Sequence, residues 1–575
     1  MSFESWKAIA AGSWLLVLAV SVFPTSALAQ SNPVPFVNQP LVPDSAMPGG
    51  QAFMLTVNGT GFVQGSTVAW NSIPLSTKFV SSSQLTADVP AANIALATTA
   101  SVTVVNPAPG GGTSNVGLFV VRQPFNAVSF SNKTTSPKTL FSVIATTDLN
   151  HDGKPDLVST VTNTPRIASF LGKGDGTFTF VSEYRAGEVP TIPVAGDFNG
   201  DGNPDVAVLG SRLIAILLGN GDGTFQPEQD ITITNDFVGL AGVAADLNGD
   251  GKLDLIANDV GRNKVVVFLG KGDGTFQDPS YLSAGNEVTY GLAVGDFNGD
   301  GKLDLAVTAK NDNVINVLLG NGDGSFQSSV AYPTAIEPQT LITSDLNGDG
   351  ILDLVAECTS DGEHGNISVL LGNGDGTFQE RKDHRTLDQG LGVVAGDLNG
   401  DNEMDLVVGY FSSGTNGGRL FSVFLGNGDG TFRGNNVYHL PSPIPVVADF
   451  DGDGKLDVAT AGQGLTVALS STSVLSRTIV GFGTVKVGSS ATAKVTLSNI
   501  GSDPFGINGI TVGGPDAQQF TQGNNCQKSL AAGAHCTINL TFKPQGGIPY
   551  NAMVKVNDTA ASPAQTIYLQ GIGQN

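Results

Sequence analysis

One nine-residue pattern, with aspartate or asparagine at positions 1, 3, 5 and 9, returns seven times along the chain and constrains its fold more than any other feature. It reads "DLNHDGKPD" from Asp148, "DFNGDGNPD" from Asp197, "DLNGDGKLD" from Asp246 and "DFNGDGKLD" from Asp296. It continues as "DLNGDGILD" from Asp345, "DLNGDNEMD" from Asp397 and "DFDGDGKLD" from Asp449. Successive starts lie 49, 49, 50, 49, 52 and 52 residues apart. A second motif follows six of the seven loops, as in "FLGKGDGTF" (Phe268–Phe276) and "LLGNGDGSF" (Leu318–Phe326). A steady period near 50 means an array of like units, each burying its apolar faces against its neighbours.

Each unit reads as four short strands. The first runs into the loop, as "GLAVGD" does, and the second, such as "DLAVTA", leaves it. A third, such as "VINVLLG", reaches the Gly-Asp-Gly turn, and a fourth begins at the Thr/Ser-Phe pair. Asp-Gly between strands favours a tight hairpin, because glycine takes positive φ without steric cost. With 75 glycines, few aromatics and no helical periodicity, the units predict an all-β fold, a seven-bladed β-propeller. The seventh unit ends at "GLTVALSS" without a Gly-Asp-Gly turn. The segment "PFNAVSF" (Pro124–Phe130) resembles a fourth-strand start and is expected to complete that last blade, covering a sheet edge.

The loops carry oxygen donors at alternate positions. Position 1 is Asp148, Asp197, Asp246, Asp296, Asp345, Asp397 and Asp449; position 3 is Asn150, Asn199, Asn248, Asn298, Asn347, Asn399 and Asp451. Position 5 is Asp152, Asp201, Asp250, Asp300, Asp349, Asp401 and Asp453; position 9 is Asp156, Asp205, Asp254, Asp304, Asp353, Asp405 and Asp457. With a backbone carbonyl at position 7 and water, that set suits Ca2+ better than magnesium, which demands tighter octahedral geometry. No cysteine or histidine holds a ligand position, which argues against zinc. The loop lacks the position-12 glutamate of a helix–loop–helix calcium site; the aspartate at position 9 is expected to close it. Glycine at position 6 permits the sharp turn in six loops, and Asn402 replaces it in the other.

The ligand positions hold 22 of the chain's 51 acidic residues. Unneutralised, carboxylates this close repel one another. Up to seven divalent ions would bring the net charge of −23 to about −9, leaving an acidic protein for which nucleic acid is a poor partner. The bland alternative is an Asx-rich turn without metal. The Gly-Asp-Gly aspartates (Asp175, Asp222, Asp273, Asp323, Asp375 and Asp429) are read as turn chemistry and not as ligands.

From these motifs the units, roughly Phe125 to Ser470, resemble the FG-GAP/VCBS repeats of integrin-α-like propellers. The resemblance implies structural calcium in the loops between strands one and two, and ligand binding on the opposite face. Residues 31–122 form an alternating segment that resembles the IPT/TIG immunoglobulin-like module, carried by "VNGTGF" and "SVTVVNP". Residues 474–575, above all "NNCQKSLAAGAHCTINLTFKP", resemble the immunoglobulin-like modules of the ASPM/Hydin and choice-of-anchor D group. The chain thus reads as a propeller over 124–470 between two β-sandwiches.

Lys7, the apolar run "WLLVLAVSVF" and "ALA" at Ala27–Ala29 mark residues 1–29 as an export signal, with an uncleaved anchor as the alternative. No later segment is apolar enough to span a membrane, so the expected location is secreted or cell surface. Cys526 and Cys536, ten apart, are placed for a hairpin disulfide in an oxidising compartment, while Cys358 is read as a buried small hydrophobe. "NGT" at Asn58 fits a glycosylation acceptor or chance.

The search for catalytic residues finds none. His151, His364, His384, His439 and His535 are scattered without metal spacing and are read as surface residues; there is no nucleophile elbow. Trp70 is the one tryptophan after the signal and lies outside the repeats. Tyr184, Tyr281, Tyr290, Tyr332, Tyr410 and Tyr438 are the available platforms for a sugar. Units five and six lengthen between strands two and three, as "CTSDGEHGNIS" and "YFSSGTNGGRL", and binding residues concentrate on such loops. The expected function is adhesion to an extracellular protein or polysaccharide; the alternatives are a lectin or a polysaccharide lyase or hydrolase.

Overall fold

A computed structural model of the chain describes residues 32–574 except 38–40, 44, 47–49, 96–97, 115–116, 122–128, 234–236, 287, 360–364, 387–389, 400, 402, 413–417, 440–443, 454, 472, 477–478, 500–503, 532–533 and 561–564. The export signal and His364 lie outside these residues, as do the tips of both lengthened loops. The described residues form strands and three short 3-10 turns.

Unit four shows how the repeat folds. Strands Val288–Gly295, Asp304–Ala309, Val314–Leu318 and Val330–Pro333 pair antiparallel in chain order. The second strand is buried along its whole length, because a neighbouring sheet covers each of its faces. Alternate side chains therefore enter different cores. Leu305 and Val307 pack with Leu247 and Val267 of unit three, and Ala306 packs with Leu354 and Ala356 of unit five. The same four-stranded order holds in units two, three, five and six.

The first and seventh units share one six-stranded sheet. Strand Ser129–Thr147 pairs through its first part with the seventh unit, from Ser129 opposite Ser471 to Thr135 opposite Leu465. Its later part pairs with Asp156–Val161 of the first unit. The N-terminal side of the repeat region thus supplies the missing strand, as expected. The pairing begins at Ser129 and runs into "SNKTT"; residues 124–128 are outside the described set.

Apolar clusters bridge every pair of consecutive units and also join the seventh to the first, where Phe170 and Phe178 pack with Phe450 and Val467. Phe450 of the seventh loop meets Phe178 edge-on at 5.7 Å, as Phe198 meets Phe276 and Phe297 meets Phe378 between consecutive units. Beside each of these pairs a Gly-Asp-Gly turn donates a backbone N–H to the preceding unit's loop: Gly176 to the Phe450 carbonyl, Gly274 to Phe198 and Gly376 to Phe297.

One expectation needs correcting. The fourth strand starts at the phenylalanine only in units one and six, as Phe178–Arg185 and Phe432–His439. In units two to five the phenylalanine makes an isolated bridge to a glycine two residues past the third strand, and the ladder resumes several residues later. Pro227 and Pro279 stand in two of those gaps, where a residue without an N–H cannot extend the ladder.

The N-terminal segment forms two sheets that enclose Leu55, Val57, Leu85, Val102 and Trp70, the last against Phe119 at 4.9 Å. The C-terminal segment forms two more around Val495, Ile538, Phe542, Val554 and Ile567. Its strand Pro549–Asp558 alternates between buried and more accessible residues, the mark of a sheet with one covered face. Cys526 and Cys536 are disulfide-bonded with 5.0 Å between their α-carbons. Cys358 is free and fully buried, as expected, and burial pushes its thiol up to about 12.

Candidate functional site

Each Asp/Asn loop is folded by its own side chains. In unit four Asp296 Oδ1 accepts the N–H of Gly299 at 2.8 Å and of Asp300 at 3.2 Å, and its Oδ2 accepts that of Gly301 at 2.9 Å. Asn298 Oδ1 accepts the Asp300 N–H at 2.8 Å, and Asp300 Oδ1 accepts that of Lys302 at 2.9 Å. Units two, three and five repeat this pattern. These bonds converge positions 1, 3 and 5 on one turn. Asp296 Oδ2, Asn298 Oδ1 and Asp300 Oδ1 each accept one of these N–H groups and keep a second lone pair for a further contact, while Asp296 Oδ1 spends both on Gly299 and Asp300.

The loop also needs positive φ at position 4, a requirement the sequence reading passed over. Gly299 there has φ of 71° and Gly301 at position 6 has 81°. In unit one His151 occupies position 4 at φ 59°, a conformation that costs a residue with a Cβ.

Position 9 does more than close the loop. Asp304 is wholly buried; its Oδ2 accepts the Phe297 N–H at 2.9 Å and its Oδ1 accepts the Gly320 N–H at 2.8 Å. The carboxylate therefore pins the start of the loop to the end of the third strand. All seven units make the same pair of bonds, through Asp156, Asp205, Asp254, Asp304, Asp353, Asp405 and Asp457. Burial raises the Asp304 carboxyl to about 7, and the charges of Asp296 and Asp300 add to the shift.

In the seventh loop one oxygen each from Asp449, Asp451 and Asp453 lies within 4.8 Å of the others. Burial, then the charges of Asp453 and Asp449, push the Asp451 carboxyl up to about 6. Converging all-oxygen donors that carry more negative charge than the one paired lysine, Lys455, balances fit a hard divalent cation. The residues that would hold one are those at positions 1, 3 and 5, with position 9 behind them.

Partial neutralisation is built in. Lysines at position 7 pair with the position-5 aspartate in four loops, through Lys154, Lys252, Lys302 and Lys455. The sixth loop differs: Glu403 stands at position 7, and Arg433 places Nη2 at 2.6 Å from Asp401 Oδ2 while Nη1 binds the Gly426 carbonyl. Asn402, which replaces glycine there, lies outside the described residues. Nothing in the nine-residue motif announces Arg433, which comes from the fourth strand.

The Gly-Asp-Gly aspartates are turn residues. Asp323 Oδ1 accepts both the N–H and the hydroxyl of Ser325, and Asp175, Asp222, Asp273, Asp375 and Asp429 do the same with threonine.

The sugar-platform tyrosines are mostly spent on packing. Tyr410 is buried, Tyr184 and Tyr332 meet Phe225 and Phe378 edge-on, and Tyr438 stacks on Phe421. Tyr281 is 43% exposed, but Arg262 lies over its ring at 5.6 Å. The side chain of Tyr290 is outside the described set. His384 corrects its surface assignment: half-buried, it meets Phe432 of unit six edge-on at 5.0 Å, and burial lowers its pKa. Contact with a ring from the next unit explains this. His151 is exposed and bonds Asn203, and His535 is exposed.

Comparison with known proteins agrees with this architecture. Residues 148–208, 197–257, 246–307, 296–356 and 345–408 match the FG-GAP-like repeat, and residues 474–572 match the HYDIN/CFA65/VesB-like, Ig-like domain. No match places an IPT/TIG module at the N-terminus. No curated protein matches the chain. Among solved structures, a lectin from Agrocybe aegerita that recognises non-reducing terminal N-acetylglucosamine is 20% identical, with a TM-score of 0.38 over 64% of this chain and 96% of its own. A periplasmic gluconolactonase from Pseudomonas aeruginosa is 14% identical, with the same TM-score and coverages. A functionally unknown protein from Desulfotomaculum acetoxidans is 15% identical over 60% of this chain and 96% of its own, with a TM-score of 0.37. No helix among the described residues is long and apolar enough to cross a membrane.

Proposed function

Because the chain carries five FG-GAP-like repeats and a C-terminal HYDIN/CFA65/VesB-like, Ig-like domain, we propose that it is an exported, calcium-stabilised, seven-bladed propeller serving extracellular adhesion or ligand binding. The observation that carries the calcium reading is the convergence of oxygen donors at positions 1, 3 and 5 in loop after loop. When bound, calcium supplies the positive charge that lets these carboxylates sit together. The residues themselves set the turn, and the aspartate at position 9 ties it to the third strand.

The partner is an extracellular protein or polysaccharide, engaged on the face opposite the loops. Support comes from the neighbouring connections after Cys358 and Ser412, both of which leave the second strand at its far end from the loop. Few tyrosines are left free for stacking, so support for a lectin built on aromatic platforms is reduced.

Two measurements test the reading. A cation site held at a hundredfold excess over its Kd contributes about 2.7 kcal/mol. Chelating calcium is therefore expected to lower the melting temperature of the mature protein, and an unchanged melt refutes structural calcium. Incubation with polysaccharides and matrix proteins in millimolar calcium is expected to retain the protein without shortening the polymer. Shortening that disappears on chelation would make it an enzyme instead.

A further inference from the structure

The N-terminal β-sandwich does not stand clear of the repeats; it reaches the Asp/Asn loops of units three, four and five. The Val34 N–H donates to Asp246 Oδ2 at 3.0 Å, the same oxygen that accepts the Gly251 N–H within the third loop at 2.9 Å. Two residues on, Phe36 packs against the cluster between units three and four, which includes Leu247 and Leu303 from their loops. Ser82 lies over the fourth loop, its Oγ 3.1 Å from where a Cβ on Gly301 would stand. Asn58 lies over the fifth, its Nδ2 3.7 Å from the corresponding point on Gly350. Gly301 and Gly350 both occupy position 6 of their loops, so three consecutive loop tips are covered by one module.

The first contact joins docking to the cation site. Asp246 is position 1 of the third loop, and the oxygen that meets the sandwich is one that also holds the loop closed on Gly251. An empty loop brings together the charges of Asp246, Asp250 and Asp254, which repel and favour opening. A bound cation removes that repulsion and keeps Oδ2 where Val34 reaches it.

We propose that the N-terminal sandwich is a calcium-dependent cap, docked on the loops of units three to five and released when the third loop loses its cation. This rests on the calcium reading above. Linkage makes the effect reciprocal: docking tightens cation binding at the third loop by the factor by which the cation tightens docking. The same contacts bear on Asn58. A glycan on its amide would be forced against the fifth loop, so docking favours the chance reading of "NGT".

The test is hydrogen exchange with mass spectrometry on the mature full-length protein, with calcium titration by calorimetry on the same sample. In calcium, peptides covering Val34–Phe36 are expected to exchange at least tenfold more slowly than in chelator. Phe36→Ser should abolish that protection and weaken one cation site severalfold, leaving the others unchanged. Asn58→Arg, on a different contact, should reduce protection without altering Val34 or Phe36, and a retained sandwich melt shows that either variant still folds. Cation binding with equal exchange of the Val34–Phe36 peptides in both buffers overturns the coupling alone. A flat titration overturns the calcium reading and the coupling together.

Discussion

The buried aspartate at position 9 offers the sharpest test of how the units are held. In Asp304→Asn the side chain keeps its shape and loses its charge. Asparagine can accept one N–H through its remaining oxygen, but its amide nitrogen then faces the second donor, either Gly320 or Phe297. One charge-assisted hydrogen bond is lost, about 1.5–3 kcal/mol, and a buried backbone N–H is left unpaired, about 1–3 kcal/mol. Removing a carboxyl that burial raises to about 7 returns part of this cost, so the expected net loss is roughly 1–3 kcal/mol. In a large domain, a loss of this size lowers Tm by the order of 2–5 °C. The assay is thermal and denaturant unfolding of the full chain, followed in both calcium and chelator. The backbone role predicts a loss in both buffers; an added ligand role predicts a larger loss in calcium. A change below about 0.5 kcal/mol in chelator would refute the claim that this carboxylate anchors the loop to the third strand.

Two further outcomes follow from particular side chains. Glu357 is fully buried on the second strand of unit five, against Gly390 of unit six, and neither carboxyl oxygen has a well-formed hydrogen bond among the described residues. Burial raises its pKa from 4.5 to about 8, so the folded state holds a proton that the unfolded state releases. Stability from this group is therefore highest below about pH 4.5, falls as pH rises towards about 8 and is flat above. Glu357→Gln should remove that slope and stabilise the protein at pH 8 by a few kcal/mol, on the order of the full shift; urea unfolding of both proteins across this range reads it, and parallel curves would count against it. Arg433→Ala removes the guanidinium from Asp401 and should tighten the weakest cation site seen by calorimetry, while an unchanged weakest site would mean that Arg433 does not act as the sixth loop's counter-ion.

Much of this organisation is legible in the chain alone, because a local pattern has local causes. Aspartate or asparagine at alternate positions with glycine at position 6 prescribes a turn whose side chains bond its own backbone, and Gly-Asp-Gly prescribes a hairpin. The period of about 50, summed over seven units, left few folds to choose from. The disulfide between Cys526 and Cys536 and the burial of Cys358 were equally readable. The lost turn in unit seven even foretold which part of the chain would complete it.

What the tertiary structure decided are the contacts between segments far apart in sequence. No pattern within a unit says that the aspartate at position 9 reaches the end of the third strand, or that Arg433 reaches Asp401. The pairing that begins at Ser129 depends on how two distant strands meet, and hydrophobic periodicity could place it only to within a few residues. His384 and Tyr410 look like surface residues in isolation; the neighbouring sheets bury them. The contact of Val34 with Asp246 spans more than 200 residues and arises only once the sandwich and the repeats are placed together. Local turn chemistry belongs to the sequence, since each turn satisfies its own donors. Burial and long-range pairing depend on every other part of the chain having already found its place.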